Sequence, residues 1–418
     1  MQNKVFSTMK KAFTSLAIVS SLTSFGAYYD TLPKGVRMLD LRQINTDKIN
    51  SSFTGNSQES QYAFNIDLGA DSIKGLNSIT QDIFQTLKEI SPEAYDNFTF
   101  GEYNVKGEAN AQVRVFALGY GLTNKLTAYV GLPWYKTNVN LTIDRTKGNN
   151  HQSVVNSLKK AGNSSQETQI FQDFAEVLPD ATGEVLQSVI VNYFGYKPLG
   201  SWNGEGPGDT ELGLIYRLTD WEKSGLAMTV GAVLPTGRQD DPDILQDFSF
   251  GDGQTDAFLE FGGGFSLFDD ASLSFDSSAR ITYQFAANKT LRIPENEDYQ
   301  LGSEKALFNE KLGNKLLYNL SATYAFTDWF SLSTKYEYEG VGQSEYTSAY
   351  SNANKILEKN TEKESHAATG SINFTTVKLY QRGDFVLPFN ASLSATNYIS
   401  AKNMPKYNIY MFKMRFYF

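Results

Sequence analysis

Few side chains in this chain can do chemistry: only two histidines and no cysteine occur among its 418 residues. His151-Gln-Ser153 is spaced to join a base to a nucleophile, because residues i and i+2 of a strand share a face. Asn149, Asn150 and Asn156 surround that pair, however, and the Gly-Asn-rich approach leads into a helical pattern, so it reads first as a solvated surface. A lipid hydrolase built on His151 and Ser153 is therefore the least favoured of three functional readings. His366 has no evident partner. Asp240, Asp241, Asp243, Asp247, Asp252 and Asp256 offer oxygen ligands but lack the spacing of a calcium loop, and they read as a solvated acidic loop. The absence of Gly-x-Ser-x-Gly, a phosphate-binding loop and His-Glu-x-x-His leads us to expect no enzyme, no metal site and no cofactor.

A second set of charges sits on segments that alternate polar and apolar residues. By parity, Arg114, Glu211, Arg217, Glu260, Asp276, Arg280, Lys335, Glu337, Glu339, Lys413 and Arg415 fall on the polar face. Of these, Arg114, Arg217, Glu260, Asp276, Arg280 and Lys335 are the candidate solute-binding residues of a lumen. The set has two readings: a hydrated passage, or cross-strand ion pairs that fill a narrow barrel.

These side chains need two-sided strands to position them. From Ser272 to Phe285 the residues Leu273, Phe275, Ser277, Ala279, Ile281, Tyr283 and Phe285 face one way, while Ser272, Ser274, Asp276, Ser278, Arg280, Thr282 and Gln284 face the other. The composition agrees, with 14% aromatic residues, 24 Tyr, 29 Phe and 33 Gly. Similar segments near 35–45, 106–121, 125–142, 209–219, 225–236, 256–268, 271–286, 313–327, 329–341, 366–380, 384–398 and 406–418 predict an all-β, transmembrane antiparallel barrel of about twelve strands. Tight turns (Thr123-Asn124, Thr219 to Ser224, Asp269-Asp270, Thr327-Asp328, Gln381 to Gly383) alternate with mostly long connections, which assigns the turns to the periplasmic rim. Pro133, Pro235 and Pro388 fall inside or at the end of strands. They are expected at strand ends or bulges, a kinked wall open to lipid being the other reading. Two insertions, about 46–104 and 144–206, read as partly helical: Leu76, Ile79, Ile83, Leu87 and Ile90 recur at helical steps in the first. In the second, Ile170, Phe171, Phe174, Val177 and Leu178 precede Pro179, and Val185, Leu186, Val189, Ile190 and Tyr193 follow it. They are expected at the extracellular mouth, as a cap or plug or as helices packed only on each other.

Lys4, Lys10 and Lys11 precede an apolar stretch from Ala12 to Leu22 that ends in the small residues Ser24, Gly26 and Ala27, the order of a cleaved signal peptide over 1–26. The mature barrel would then span 27–418. Cleavage takes the formal charge from −9 to about −12, which argues against nucleic acid as a partner. At the other end Tyr410, Phe412, Met414, Phe416 and Phe418 alternate with Met411, Lys413, Arg415 and Tyr417 and the chain stops on an aromatic. That ending resembles the signal read by the barrel assembly machinery, an expected partner through Phe418, together with outer-membrane lipid and a small-molecule solute.

Three passages, Gly206-Pro-Gly-Asp-Thr-Glu-Leu-Gly-Leu-Ile-Tyr-Arg217, Gly231-Ala-Val-Leu-Pro-Thr-Gly237 and Gly251-Asp-Gly-Gln-Thr-Asp256, resemble the outer-membrane transporter family named for the meta-pathway of phenol degradation. Gly121-Leu-Thr-Asn-Lys-Leu-Thr and Gly131-Leu-Pro-Trp134 resemble its earlier turn and strand. The resemblance covers roughly 35–418, and the long helical insertions depart from its compact members. It implies an outer-membrane channel or transporter passing small hydrophobic or aromatic solutes by diffusion, more distantly similar to long-chain fatty-acid transporters. A receptor-type filled barrel whose extracellular loops bind a partner is the alternative.

Overall fold

The computed structural model describes residues 28–418 except 75–77, 163–165, 177–186, 188, 220, 222, 269–271 and 295–300. The expected signal peptide, the Asp269-Asp270 turn, and Leu76, Val177, Leu178, Val185 and Leu186 lie outside the described residues. The chain divides into two compact units.

The larger unit, which among described residues holds 28–61, 108–140 and 201–418, is built on a closed antiparallel barrel of twelve strands. The strands are β1 (Arg37–Thr46), β2 (Thr99–Thr123), β3 (Leu126–Lys147), β4 (Thr210–Arg217), β5 (Ser224–Leu234), β6 (Asp256–Leu267), β7 (Leu273–Gln284), β8 (Lys315–Ala325), β9 (Phe330–Val341), β10 (Lys363–Thr375), β11 (Phe389–Lys402) and β12 (Ile409–Tyr417). Each strand pairs with its neighbours in sequence, and β12 closes on β1 through nine residue pairs from Met38↔Tyr417 to Thr46↔Ile409. Among the described residues each of these twelve strands has a partner on both sides, so backbone polar groups are paired within the wall, the condition for crossing lipid with strands. No helix among the described residues is long and apolar enough to cross a membrane.

One face of the wall carries large apolar side chains that stay exposed, such as Leu118, Leu214, Phe261, Ile281, Leu320 and Phe412. An apolar band of that kind is what lipid contact requires. The other face turns inward.

Several boundaries differ from the sequence reading. The alternation near 366–380 and 384–398 resolves into β10 and β11 separated by a short helix, Val377–Gln381. Thr376 closes that turn, its hydroxyl donating to the Leu387 carbonyl (2.7 Å) and accepting from the Phe389 amide (2.9 Å). Tyr380, Phe385, Val386 and Leu387 stay exposed in the turn, so apolar residues there mimic a continuing strand. The prolines lie where the ladder ends or breaks. Pro235 and Pro388 flank β5 and β11, and Pro133 sits where β3 changes partner from β4 to the stretch Trp202–Pro207, its carbonyl accepting from the Gly208 amide.

The connections outside the wall carry their own structure. Ala287–Arg292, Lys305–Lys311 and Glu345–Thr347 form one small sheet, and Ser51–Phe53 pairs with Glu59–Gln61 and Met404–Lys406 in another. The acidic run is paired within this architecture, where the sequence suggested a solvated loop. Asp240 meets Lys289 (3.0 Å), Asp243 meets Arg292 (2.6 Å) and Lys305 (2.8 Å), and Asp247 meets Arg238 (2.6 Å). Burial pushes the Asp243 carboxyl up, but hydrogen bonds from Lys305 and Arg292 outweigh it and hold that group below the usual carboxylate range.

The smaller unit holds the described residues of 62–107 and 141–200. Its helices α1 (Ala70–Lys74), α2 (Ser78–Ile90), α3 (Pro92–Asn97), α4 (His151–Lys160) and α5 (Gln166–Glu176) come from both insertions. Phe84, Leu87, Ala94, Tyr95, Phe98, Val154, Val155 and Leu158 share one core. The Asn97 amide donates to the Ser157 hydroxyl (3.3 Å) and Lys160 pairs with Glu93 (3.0 Å), so the two insertions pack on each other. Ser91 caps α3 by accepting from the Ala94 amide, with Pro92 at the first helical position. Desolvation together with Asp71, which accepts from its hydroxyl at 2.5 Å, pushes the Tyr95 phenol up to about 12.

Candidate lumen site

Alternation places every second side chain inside the barrel, and the inner wall has two different halves. Along β2 to β6 the inward residues are apolar or sealed: Val113, Val115, Ala117, Tyr129, Ile215, Ala227 and Phe258 are buried in one cluster. The N-terminal stretch joins that cluster through Tyr28, Tyr29 and Leu32. Its backbone is fixed at two points, the Tyr28 amide donating to the Asp276 carboxylate (2.9 Å) and the Leu32 amide to the Thr127 hydroxyl (2.8 Å). Two glycines make room for the rings. A Cβ at Gly225 would lie 2.5 Å from the Tyr29 ring and one at Gly262 would lie 2.5 Å from that of Tyr28. Tyr28, Tyr29 and Leu32 thus pack inside the wall of β2 to β6.

Along β8 to β11 the inward residues are short and polar. Asn319, Ser321, Thr323, Ser333, Ser371, Asn373, Ser394 and Thr396 all keep intermediate exposure, so solvent reaches this half of the interior. The Thr369 and Thr396 hydroxyls meet at 2.8 Å and the Asn373 amide donates to Ser333 (3.0 Å), a lattice of neutral donors and acceptors that suits water.

The charges divide between the halves. In the filled half Arg280 makes two hydrogen bonds to Glu211, the shorter at 2.9 Å. Glu260 lies 4.0 Å away, and Tyr129 donates to Glu211 at 2.7 Å. The Arg280 guanidinium also lies over the Phe258 ring at 3.5 Å. Deleting one member of such a buried pair typically costs about 3–5 kcal/mol, because the other charge is left uncompensated. Arg217 lies over the Tyr29 ring (5.4 Å) and Asp276 holds the Tyr28 amide, so both serve the N-terminal stretch. In the hydrated half Lys335 pairs with Glu337 at 2.7 Å.

Where β12 meets β1, Asp40 binds Arg42 (2.8 Å) and Arg415 (2.6 Å), and Lys413 stands opposite Arg42 in the ladder. The sequence reading missed Asp40 and Arg42, although Met38, Asp40, Arg42 and Ile44 alternate with Leu39, Leu41 and Gln43. The two carry opposite charges two residues apart on one face, which was the available signal.

Arg114 is a correction. It shares the exposed face of β2 with Phe116, Leu118 and Tyr120 and donates to the Gln43 side chain (3.2 Å), so it points outward, beyond the end of the apolar band. The inward residues of β2 are Ala111, Val113, Val115 and Ala117. With both faces apolar, the presence of a charge was a poor guide to parity.

The enzyme-like pair lies elsewhere. His151 and Ser153 open helix α4, where i and i+2 do not share a face, and the His151 ring contacts Asn149 (2.8 Å). His366, without an evident partner in the sequence, meets the Tyr336 hydroxyl (2.7 Å) and Glu364 (3.2 Å) on β9 and β10. Among the described residues no group of three or more His, Asp or Glu side chains is arranged to hold a metal ion.

Neither a protein-family model nor a curated protein matches the sequence. Solved structures do match. The COG4313 outer membrane channel from Pseudomonas putida F1 aligns over 93% of this chain and 98% of its own, with a TM-score of 0.50 and 11% identity. The Pseudomonas putida toluene transporter TodX aligns over 98% and 96% with a TM-score of 0.31 and 10% identity. The translocator domain of autotransporter NalP from Neisseria meningitidis aligns over 93% and 90% with a TM-score of 0.38 and 8% identity. The strand order, the closure and the outward apolar band agree with the first of these likenesses, and the chain has the fold of a closed, twelve-stranded antiparallel β-barrel.

Proposed function

We propose that this protein is an outer-membrane channel that passes small solutes, hydrophobic or aromatic ones among them, by diffusion. The observation that carries this reading is the contrast between the two inner walls: most inward polar residues of β8 to β11 stay partly exposed, Ser365, Thr369 and Ser392 being buried, while the inward residues of β2 to β6 pack in a buried cluster. Movement follows the solute gradient. The resemblance in the Gly206–Arg217, Gly231–Gly237 and Gly251–Asp256 passages supports hydrophobic or aromatic cargo. The chain reaches the membrane by export through a signal peptide removed after Gly26, and the assembly machinery reads the terminal strand ending on Phe418, whose side chain is exposed.

The test is single-channel recording of the purified, refolded chain in a planar bilayer, with and without toluene on one side. Stepwise conductance reduced by toluene is expected. A folded β barrel that never conducts and does not move toluene into liposomes would instead support the filled, receptor-type barrel.

A further inference from the structure

We propose that the lumen holds a seat for the anionic group of a small organic acid, formed by Lys413 with Arg42, Arg415 and Lys335 around it. The proposal rests on the channel reading and narrows its cargo to solutes that carry a carboxylate. Lys413 projects inward from β12. Arg42 is its cross-strand partner on β1, Arg415 lies two residues away on the same face, and Lys335 on β9 is within electrostatic reach. Four cations therefore face two nearby carboxylates. Asp40 is taken by Arg42 and Arg415, and Glu337 by Lys335. The Lys413 ammonium has no hydrogen bond and no ion pair with any described residue, although its neighbours are two guanidiniums. A cation set among other cations is repelled by them and gains most from an arriving anion.

Access distinguishes Lys413 from its neighbours. Asp40, Arg42 and Arg415 are sealed at 0%, 6% and 1% exposure, whereas Lys413 keeps intermediate exposure. A solute there would meet the ammonium first, with the two guanidiniums behind it. The wall beside Lys413 adds neutral groups: Ser392 is its partner on β11, and Asn373 is the partner of Ser392 on β10. A carboxylate with its several lone pairs can accept from an ammonium and from such hydroxyl and amide donors together. Glu339, further along β9 toward the loop end, faces the same passage within electrostatic reach of Lys315 and Lys363. It places an opposite charge beyond the seat and would discourage an anion from moving on in that direction.

The experiment is titration calorimetry of the refolded full-length chain in detergent with benzoate and with benzyl alcohol, its uncharged counterpart. Wild-type protein should bind benzoate more tightly than benzyl alcohol, and the preference should shrink as ionic strength rises. Lys413→Gln should weaken benzoate about tenfold, the equivalent of one charge-assisted hydrogen bond, with benzyl alcohol unchanged. Lys413→Arg should keep the preference, and Lys378→Gln, in the turn after β10, should change nothing. Equal affinity of wild type for the two probes would overturn the proposal without recourse to any variant, and so would an unchanged benzoate affinity in folded Lys413→Gln. Calorimetry reads the seat and bilayer recording reads the channel. A barrel that binds benzoate through Lys413 but never conducts keeps the seat and loses the channel. One that conducts yet binds both probes alike does the reverse.

Discussion

Asp40 on β1 and Arg415 on β12 meet at 2.6 Å across 375 residues of chain, fully buried, at the seam where the last strand closes on the first. Arg42 binds the same carboxylate from the other side at 2.8 Å. Asp40→Asn would leave two buried guanidiniums without that carboxylate and is expected to destabilise the barrel by about 3–5 kcal/mol. Urea unfolding in liposomes measures it. A loss under 1 kcal/mol would mean that the backbone ladder alone secures the seam.

Gly225 offers a way to move the N-terminal stretch without touching a charge. The nearest atoms to an added Cβ there are all from the Tyr29 ring, at 2.5 to 3.0 Å. Gly225→Leu should expel Tyr29 from the filled half, at about 1–3 kcal/mol for the overpacking. Larger single-channel conductance and faster cleavage of the stretch by chymotrypsin are the expected readouts. An unchanged conductance would show that Tyr28–Leu32 does not narrow the passage.

The outward band makes a prediction that depends on depth. Leu259 on β6 is 49% exposed amid other outward apolar residues. Leu259→Lys should cost about 2–4 kcal/mol in a bilayer if it sits near the midplane. Arg114→Lys, beyond the end of the band, should cost almost nothing. Unfolding of both variants in phosphatidylcholine vesicles compares them, and equal costs would contradict the assigned band.

Acidification should loosen the loop sheet before the barrel. Asp243 is more acidic in the folded protein than unfolded, despite its burial, because Lys305 and Arg292 bind it. Its contribution is therefore complete above the unfolded value of about 4 and is lost as pH falls through the lower, folded value. Hydrogen exchange in Ala287–Arg292 and Lys305–Lys311 is expected to rise over that window. Asp243→Asn should exchange faster at pH 7 and respond less to acid. Identical pH profiles in the two proteins would show that Asp243 does not hold the sheet.

The sequence by itself determined the barrel, its strand order and nearly all of its facing, because period-two alternation is a local property legible wherever one face is apolar and the other polar. Thus Glu260, Arg280 and Lys335 could be set on an inward face from their neighbours alone. The same rule failed at Arg114, where both faces of β2 are apolar, and after Thr375, where exposed apolar residues in a turn extend the alternation past the strand's end. Only the tertiary structure decided what each inward charge meets. Asp40 and Arg415 become neighbours through closure, Asp276 finds an amide 248 residues away, and the acidic run finds its cations in distant hairpins. Pairing of that kind depends on register and on shape across the whole barrel. The filling of one half by Tyr28–Leu32, and with it the exposure of Lys413 on the other, likewise follows from where small residues happen to meet large ones in three dimensions.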